Sequence, residues 1–276
     1  MATLSLKVID KFDNTICVSN GEDFVDLVCM HTYQEGDRIE LTVSEKDCYL
    51  NWQVDDALGA AFVYLTEKTV SYAIPFGEKR ISCSPKVFSG DRHYLYAELA
   101  RKDEIESYRN LARNPADQHC DVPCYPHATA NVETRGEAVF AAKNAIDGVR
   151  ANLSHGQWPY QSWGINRQDD AAMKVEFGRK IRTDKVVLYT RSDFPHDNWW
   201  VQVTLNFSDG GSMDFPLEKS TRAHVLTFPE REITWIELCN LIKADYPSKK
   251  TSDTSSELKC RTLTSHRRTE EMTDYR

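Results

Sequence analysis

Apolar and polar residues alternate at every second position in one short run after another, and this period of two is the feature that most restricts the fold. Thr3-Leu4-Ser5-Leu6-Lys7-Val8 and Arg38-Ile39-Glu40-Leu41-Thr42-Val43 show it plainly; Phe24 to Val28, Tyr49 to Val54, Ala60 to Leu65, Val70 to Ile74 and His93 to Leu99 continue it. Alternation places one face of a strand on a core and the other in water, so these runs predict antiparallel sheets rather than helices. Turn residues punctuate them: Asn20-Gly21, Glu35-Gly36-Asp37, Gly77, Pro85 and Gly90. Strands at this spacing predict an N-terminal antiparallel β-sandwich over residues 1–100.

One helix is predicted, from Lys102 to Ala112. Ile105, Tyr108, Leu111 and Ala112 share a face, Asp103 and Glu104 suit the first turn, and Asn114-Pro115 ends it. Residues 101–134 therefore read as a helix and linker, and Gln118 to Thr134, without any period, marks the domain boundary. An alanine-rich helical turn, Glu137 to Asn144, opens the second half. Strands return at Met173 to Phe177, Val186 to Tyr189, Trp200 to Phe207, Ser212 to Leu217, Ala223 to Phe228 and Ile233 to Leu241, predicting a second β-sandwich over residues 135–246. The chain is thus expected to be all-β. From residue 247 the character changes: 11 Ser/Thr fall in 30 residues, with only Leu258, Leu263, Met272 and Tyr275 as isolated apolar positions. A disordered tail over 247–276 is expected.

Composition excludes some functions. The formal charge of -8 opposes general nucleic-acid or membrane-surface binding, which needs clustered Lys and Arg. No apolar run reaches the roughly 18 residues of a membrane helix. The start, MATLSLKVID, alternates like a strand and has none of the parts of a secretory leader, so a cytoplasmic location is expected. The eight cysteines are scattered through strand-like runs and loops and read as free thiols, most of them buried as small hydrophobes.

The stretch from Ala138 to Leu241 resembles the discoidin or coagulation-factor C-terminal-type domain of the galactose-binding-like superfamily. The matching features are Lys143-Asn144-Ala145-Ile146-Asp147-Gly148, tryptophans some ten to fifteen residues later, Val175-Glu176-Phe177-Gly178, Lys185-Val186-Val187-Leu188-Tyr189 with Arg191 following, Phe207-Ser208-Asp209-Gly210, and Trp235-Ile236-Glu237-Leu238. The chain is also similar to uncharacterised bacterial proteins described as carbohydrate-binding, in which such a domain follows an N-terminal β domain. The resemblance implies a jelly-roll β-sandwich that binds sugars without cutting them. In that superfamily a last strand returns beside the first; here an unpatterned tail follows Leu241-Ile242-Lys243-Ala244-Asp245. A truncated or frame-shifted gene would produce that change, and intact siblings with a strand after the Ala-Asp would support this.

The resemblance further implies a structural Ca²⁺ at Asp147, with carbonyls near Asn144 and Val149 and a side chain at Asn152. Calcium takes six to eight hard oxygens, and this loop offers about four. Asp147-Gly148 as a turn, with the aspartate capping backbone amides, is the alternative. For the ligand, Trp158, Tyr160, Trp199 and Trp200 offer flat faces for sugar C–H groups, and Arg191, Asp193 and His196 offer partners for hydroxyls. Adjacent Trp199 and Trp200 must point to opposite faces of their strand, one inward and one outward. Trp163 and Trp235 read as core. One covered indole face, about 100 Å² at about 25 cal/mol/Å², contributes roughly 2.5 kcal/mol before association costs, so binding is expected between about millimolar and micromolar.

His119-Cys120-Asp121-Val122-Pro123-Cys124-Tyr125-Pro126-His127 holds zinc-type ligands, but in one proline-broken stretch rather than two arms, and reads as a linker loop. No nucleophile elbow, phosphate loop or His-Glu-x-x-His is present. Asp193 and Asp197 read as solvated or paired with Arg191 rather than as a glycosidase pair. The sequence therefore points to a non-catalytic glycan-binding protein, with a protein-interaction module on the same loops as the alternative.

Overall fold

The computed structural model describes residues 1–153, 156–192 and 199–244 in full and the backbone of 259–265. It is all-β. Strands β1 (Thr3–Ile9), β2 (Thr15–Glu22), β3 (Phe24–Cys29), β4 (Arg38–Val43), β5 (Cys48–Gln53), β6 (Ala61–Leu65), β7 (Thr69–Ala73) and β8 (His93–Leu99) make two antiparallel sheets, β2-β1-β4-β7 and β3-β8-β5-β6. Their inward positions are those the alternation marked. Leu4, Leu6, Val8, Ile39, Leu41 and Val43 of one sheet meet Val25, Leu27, Leu50, Trp52, Val63 and Leu95 of the other in a single core. Asn20-Gly21, expected as a turn, lies inside β2; the chain instead changes sheets at Asp23, which takes φ 57°.

The predicted helix is cut to one turn, α1 (Lys102–Glu106), because Ser107 is already extended (ψ 143°). The apolar face read from its sequence packs as irregular chain: Leu111 and Ala112 are buried without helical periodicity. The linker is not featureless either. Within it β9 (Cys124–Tyr125) extends the second sheet by pairing with β6, and β10 (His127–Ala130) pairs with a strand of the following half.

That half contains β11 (Trp163–Gly164), β12 (Met173–Thr190), β13 (Trp200–Phe207), β14 (Ser212–Pro216), β15 (His224–Lys243) and β16 (Lys259–Ser265), in the order β11-β16-β12-β15-β13-β14. The two long strands each serve both layers. β12 runs from β10 at one end to β16 at the other, with β15 along its flank, and the pairing skips from Glu176 to Ile181 around Gly178. Gly178 has φ +67°, and a Cβ there would collide with the Tyr125 ring. The sheet thereby folds over a core of Trp163, Phe177, Trp200, Leu205 and Phe207, giving the jelly-roll β-sandwich. β16 lies in the segment expected to be a disordered tail. Backbone pairing with Val186 to Thr190 gives it its place, so a returning strand does stand beside β12.

The halves are joined by side chains at their boundary. Arg179 sits over the Tyr49 and Tyr64 rings at 4.7 and 5.1 Å, and its Nη1 donates to the Phe177 carbonyl at 2.7 Å. Arg109 covers Phe62 at 3.9 Å, and the Ala138 amide donates to Glu78 Oε1 at 3.1 Å. Asn114 donates its backbone amide to Ile146 O and its Nδ2 to Pro126 O. The fully buried Asp117 bonds His127 Nδ1 at 2.7 Å and accepts the Ala128 amide at 2.9 Å. His119 instead bonds Glu133 at 2.6 Å, and among the described residues no three His, Cys, Asp or Glu side chains gather as a metal site.

Burial opposes charge on His127, but the hydrogen bond and charge of Asp117 outweigh it and hold the imidazole pKa above its ordinary value. A pKa raised by folding contributes stability that is complete below about pH 6.5 and is lost as the pH rises through the folded value. Chemical denaturation between pH 6 and 9 should show wild-type stability falling with pH, and His127→Asn should flatten that slope. Equal slopes in both proteins would remove the ion pair from the account.

Candidate functional site

A chain of contacts draws three connections together: the one from Ile146 to β11, the one after β12 and the one between β14 and β15. Gln161 Nε2 donates to Asp147 Oδ2 at 2.7 Å, joining the loop after Ala145 to the segment before β11. Arg191 Nη1 donates to the Tyr160 carbonyl at 3.0 Å, tying that segment to the end of β12. Arg150 lies 5.3 Å over the Tyr189 ring. Thr190 Oγ1 donates to Ser220 O at 3.2 Å, and Lys219 Nζ lies 4.9 Å from the Trp199 ring, bringing in the loop between β14 and β15.

The expected ligand residues divide sharply within this frame. Trp158 and Trp199 are half-buried and keep indole surface at the loops. Trp200 is 1% exposed and packs beside Trp163, 6.5 Å away, while Trp199, just before β13, is half-buried and packs against the same core. Tyr160 is enclosed with Val139 and Phe140, meeting the Phe140 ring edge-on at 6.4 Å. Arg191 is 1% exposed, and this corrects its expected role as an open hydroxyl-bonding group. A guanidinium so enclosed holds backbone in place, because burying its donors without partners would cost several kcal/mol. Asp193 and His196 lie outside the described residues. Trp163 is core as expected, whereas Trp235 is half-buried under the Lys174 ammonium at 4.9 Å while its neighbour Ile236 takes the core position.

At the expected calcium loop, Asn144 is buried and donates Nδ2 to Ala138 O at 2.9 Å. Asp147 Oδ1 accepts the Val149 amide at 2.7 Å, the capped turn that stood as the alternative. Asn152 is half-buried. Gln161 is fully buried, and its Oε1 has no hydrogen-bond partner.

Sequence reasoning missed Lys219 and Arg150. Both belong to loops that neighbour the site only through strand order, and a charged residue between two strands carries no signal of which rim it joins. Replacing Arg191 by Met removes the donor from a buried carbonyl. Unfolding should become easier by about 1–3 kcal/mol, read from urea denaturation; an unchanged midpoint would mean that the guanidinium does not hold Tyr160.

A family model described as a domain of unknown function (DUF7402) matches residues 124–249. No curated protein matches the chain. Among solved structures, the chain is similar to chitosan-binding module 1 derived from a chitosanase/glucanase of Paenibacillus sp. IK-5, at 16% identity and TM-score 0.38, over 57% of this chain and 98% of that one. It is similar to a family 32 carbohydrate-binding module of Clostridium perfringens in complex with galactose, at 14% identity and TM-score 0.34, over 50% of this chain and 91% of that one. A fucose-binding module of Streptococcus pneumoniae matches at 14% identity and TM-score 0.39, over 58% and 96%.

Proposed function

We propose that the chain binds a glycan, without catalysis, at the loop end of its jelly roll. The observation that carries this reading is the pair of half-buried indoles: Trp158, two residues from the Tyr160 carbonyl that Arg191 holds, and Trp199, under Lys219 of the loop whose Ser220 carbonyl accepts from Thr190. Half-buried indoles on a fixed frame offer flat apolar faces at small entropic cost, the requirement for gripping a pyranose ring. Trp158 and Trp199 stack the sugar, Lys219 and the loop residues Asp193 and His196 bond its hydroxyls, and Tyr160, Arg191 and Trp200 set the frame. Affinity chromatography on immobilised glycans tests it. The double variant Trp158→Ala/Trp199→Ala should lose at least tenfold in retention while keeping its unfolding midpoint. Undiminished retention on every glycan that holds the wild type would reject the site, and recovery of a protein partner with no sugar response would favour an interaction module on these loops.

A structural Ca²⁺ fits the same end of the molecule. The buried, unpartnered Gln161 Oε1 beside the Asp147 carboxylate is the kind of oxygen a hard cation satisfies. Asp147, Asn152 and Gln161 side chains with the carbonyls of Asn144 and Val149 would hold it, and the ion would fix the loop that carries Trp158. Calcium should then raise the thermal midpoint of the wild type, reversibly with chelator, and leave Asp147→Asn unmoved; no shift in either would leave Asp147 as a turn cap alone.

A further inference from the structure

We propose that Cys17 and Cys29 are a disulfide-forming pair that clasps the open edge of the N-terminal sandwich. β2 is the edge strand of one sheet and β3 the edge strand of the other, and the chain passes between them at Asp23 alone. Cys17 lies six residues before that corner and Cys29 six after it. Two strands diverging from one corner therefore bring the two cysteines to equal distance from it, facing each other across the gap between sheets. Their sulfurs are 2.8 Å apart, and closing to the roughly 2.05 Å of a disulfide needs less than an ångström of movement. No other contact between two cysteine sulfurs appears among the described residues.

The two thiols differ in a way that orders the chemistry. Cys29 is fully buried, with burial first and the neighbouring Cys17 second pushing its pKa well up, so it is a poor first nucleophile. Cys17 is half-buried and within reach of a solute. As thiolate it attacks a small-molecule disulfide, RSSR, breaking that S–S bond, forming Cys17–S–SR and releasing one thiolate. Cys29 then gives up its proton, attacks the Cys17 sulfur and displaces the second thiolate. Two protein thiols are oxidised, one RSSR is reduced to two RSH, and no other reactant is needed. The bond would join edges that otherwise share no backbone ladder, and its effect falls on the stability of the N-terminal half, independently of the glycan site.

The test uses the whole chain equilibrated with oxidised and reduced glutathione, followed by alkylation, intact mass and peptide mapping. The expected result is a mass lower by two hydrogens, a linked peptide containing Cys17 and Cys29, and an unfolding midpoint about 5 °C higher that dithiothreitol reverses and Cys17→Ser lacks. Cys17 and Cys29 both found alkylated after oxidation, or linked to a different cysteine, would overturn the proposal. Mapping of the wild type decides this even where the serine variant folds poorly.

Discussion

The pairing of β12 with β15 is the constraint on which the second half depends. Each strand is long enough to serve two layers, and the sheet can close over its core only where their ladder breaks, between Glu176 and Ile181. The break needs a residue in the left-handed region next to an aromatic ring, and Gly178 beside Tyr125 meets both demands. Tyr125 belongs to β9, which is paired to β6 of the first sandwich. The fold of one half thus leans on the edge of the other, and Arg179, on the same turn, completes the contact by lying over Tyr49 and Tyr64. At its other end β12 stops at Thr190, where Thr190 and Arg191 hold the Ser220 and Tyr160 carbonyls.

Much of the fold was legible because period-two alternation is a local signal. Apart from β2, which no run marked, the strands of the first sandwich fall within a residue or two of the runs that showed it, and the core of Leu4, Ile39, Leu50 and Leu95 follows from their parity. Failures occurred where pairing overrides local pattern. Asn20-Gly21 has turn chemistry but lies on an edge strand held by β1, opposite Leu4 and Ser5. Lys259–Ser265 has one leucine and was read as tail, yet its backbone groups find β12. Trp235 failed by parity: the pairing of β15 with β12 shifts between Glu176 and Ile181, opposite Trp235 and Ile233, and that shift exchanges the inward and outward positions that alternation assumes.

The site was legible in composition but not in direction. Sequence marks the stretch from Tyr189 onward as rich in groups that bind sugars, and adjacency alone separates Trp199 from Trp200. It does not say that Arg191 turns inward. There its Nη1 donates to the Tyr160 carbonyl, 31 positions away in sequence. Buried backbone must be satisfied, and the most capable donor at the strand end was drawn into that task.

The inward turn alters how the rim works. An exposed arginine would bond hydroxyls directly but would bring a flexible side chain whose ordering costs about 1 kcal/mol or more on binding. Enclosed, the same residue meets that cost during folding and leaves two indoles on a frame already set. On the glycan-binding proposal, specificity would rest with polar groups beside the indoles, such as Lys219 at 4.9 Å from the Trp199 ring, rather than with the stacking faces, which would accept any pyranose of suitable shape. On that proposal, exchanging such a rim residue would alter which sugar is preferred, whereas disturbing Arg191 would weaken all sugars alike through the Tyr160 carbonyl it holds.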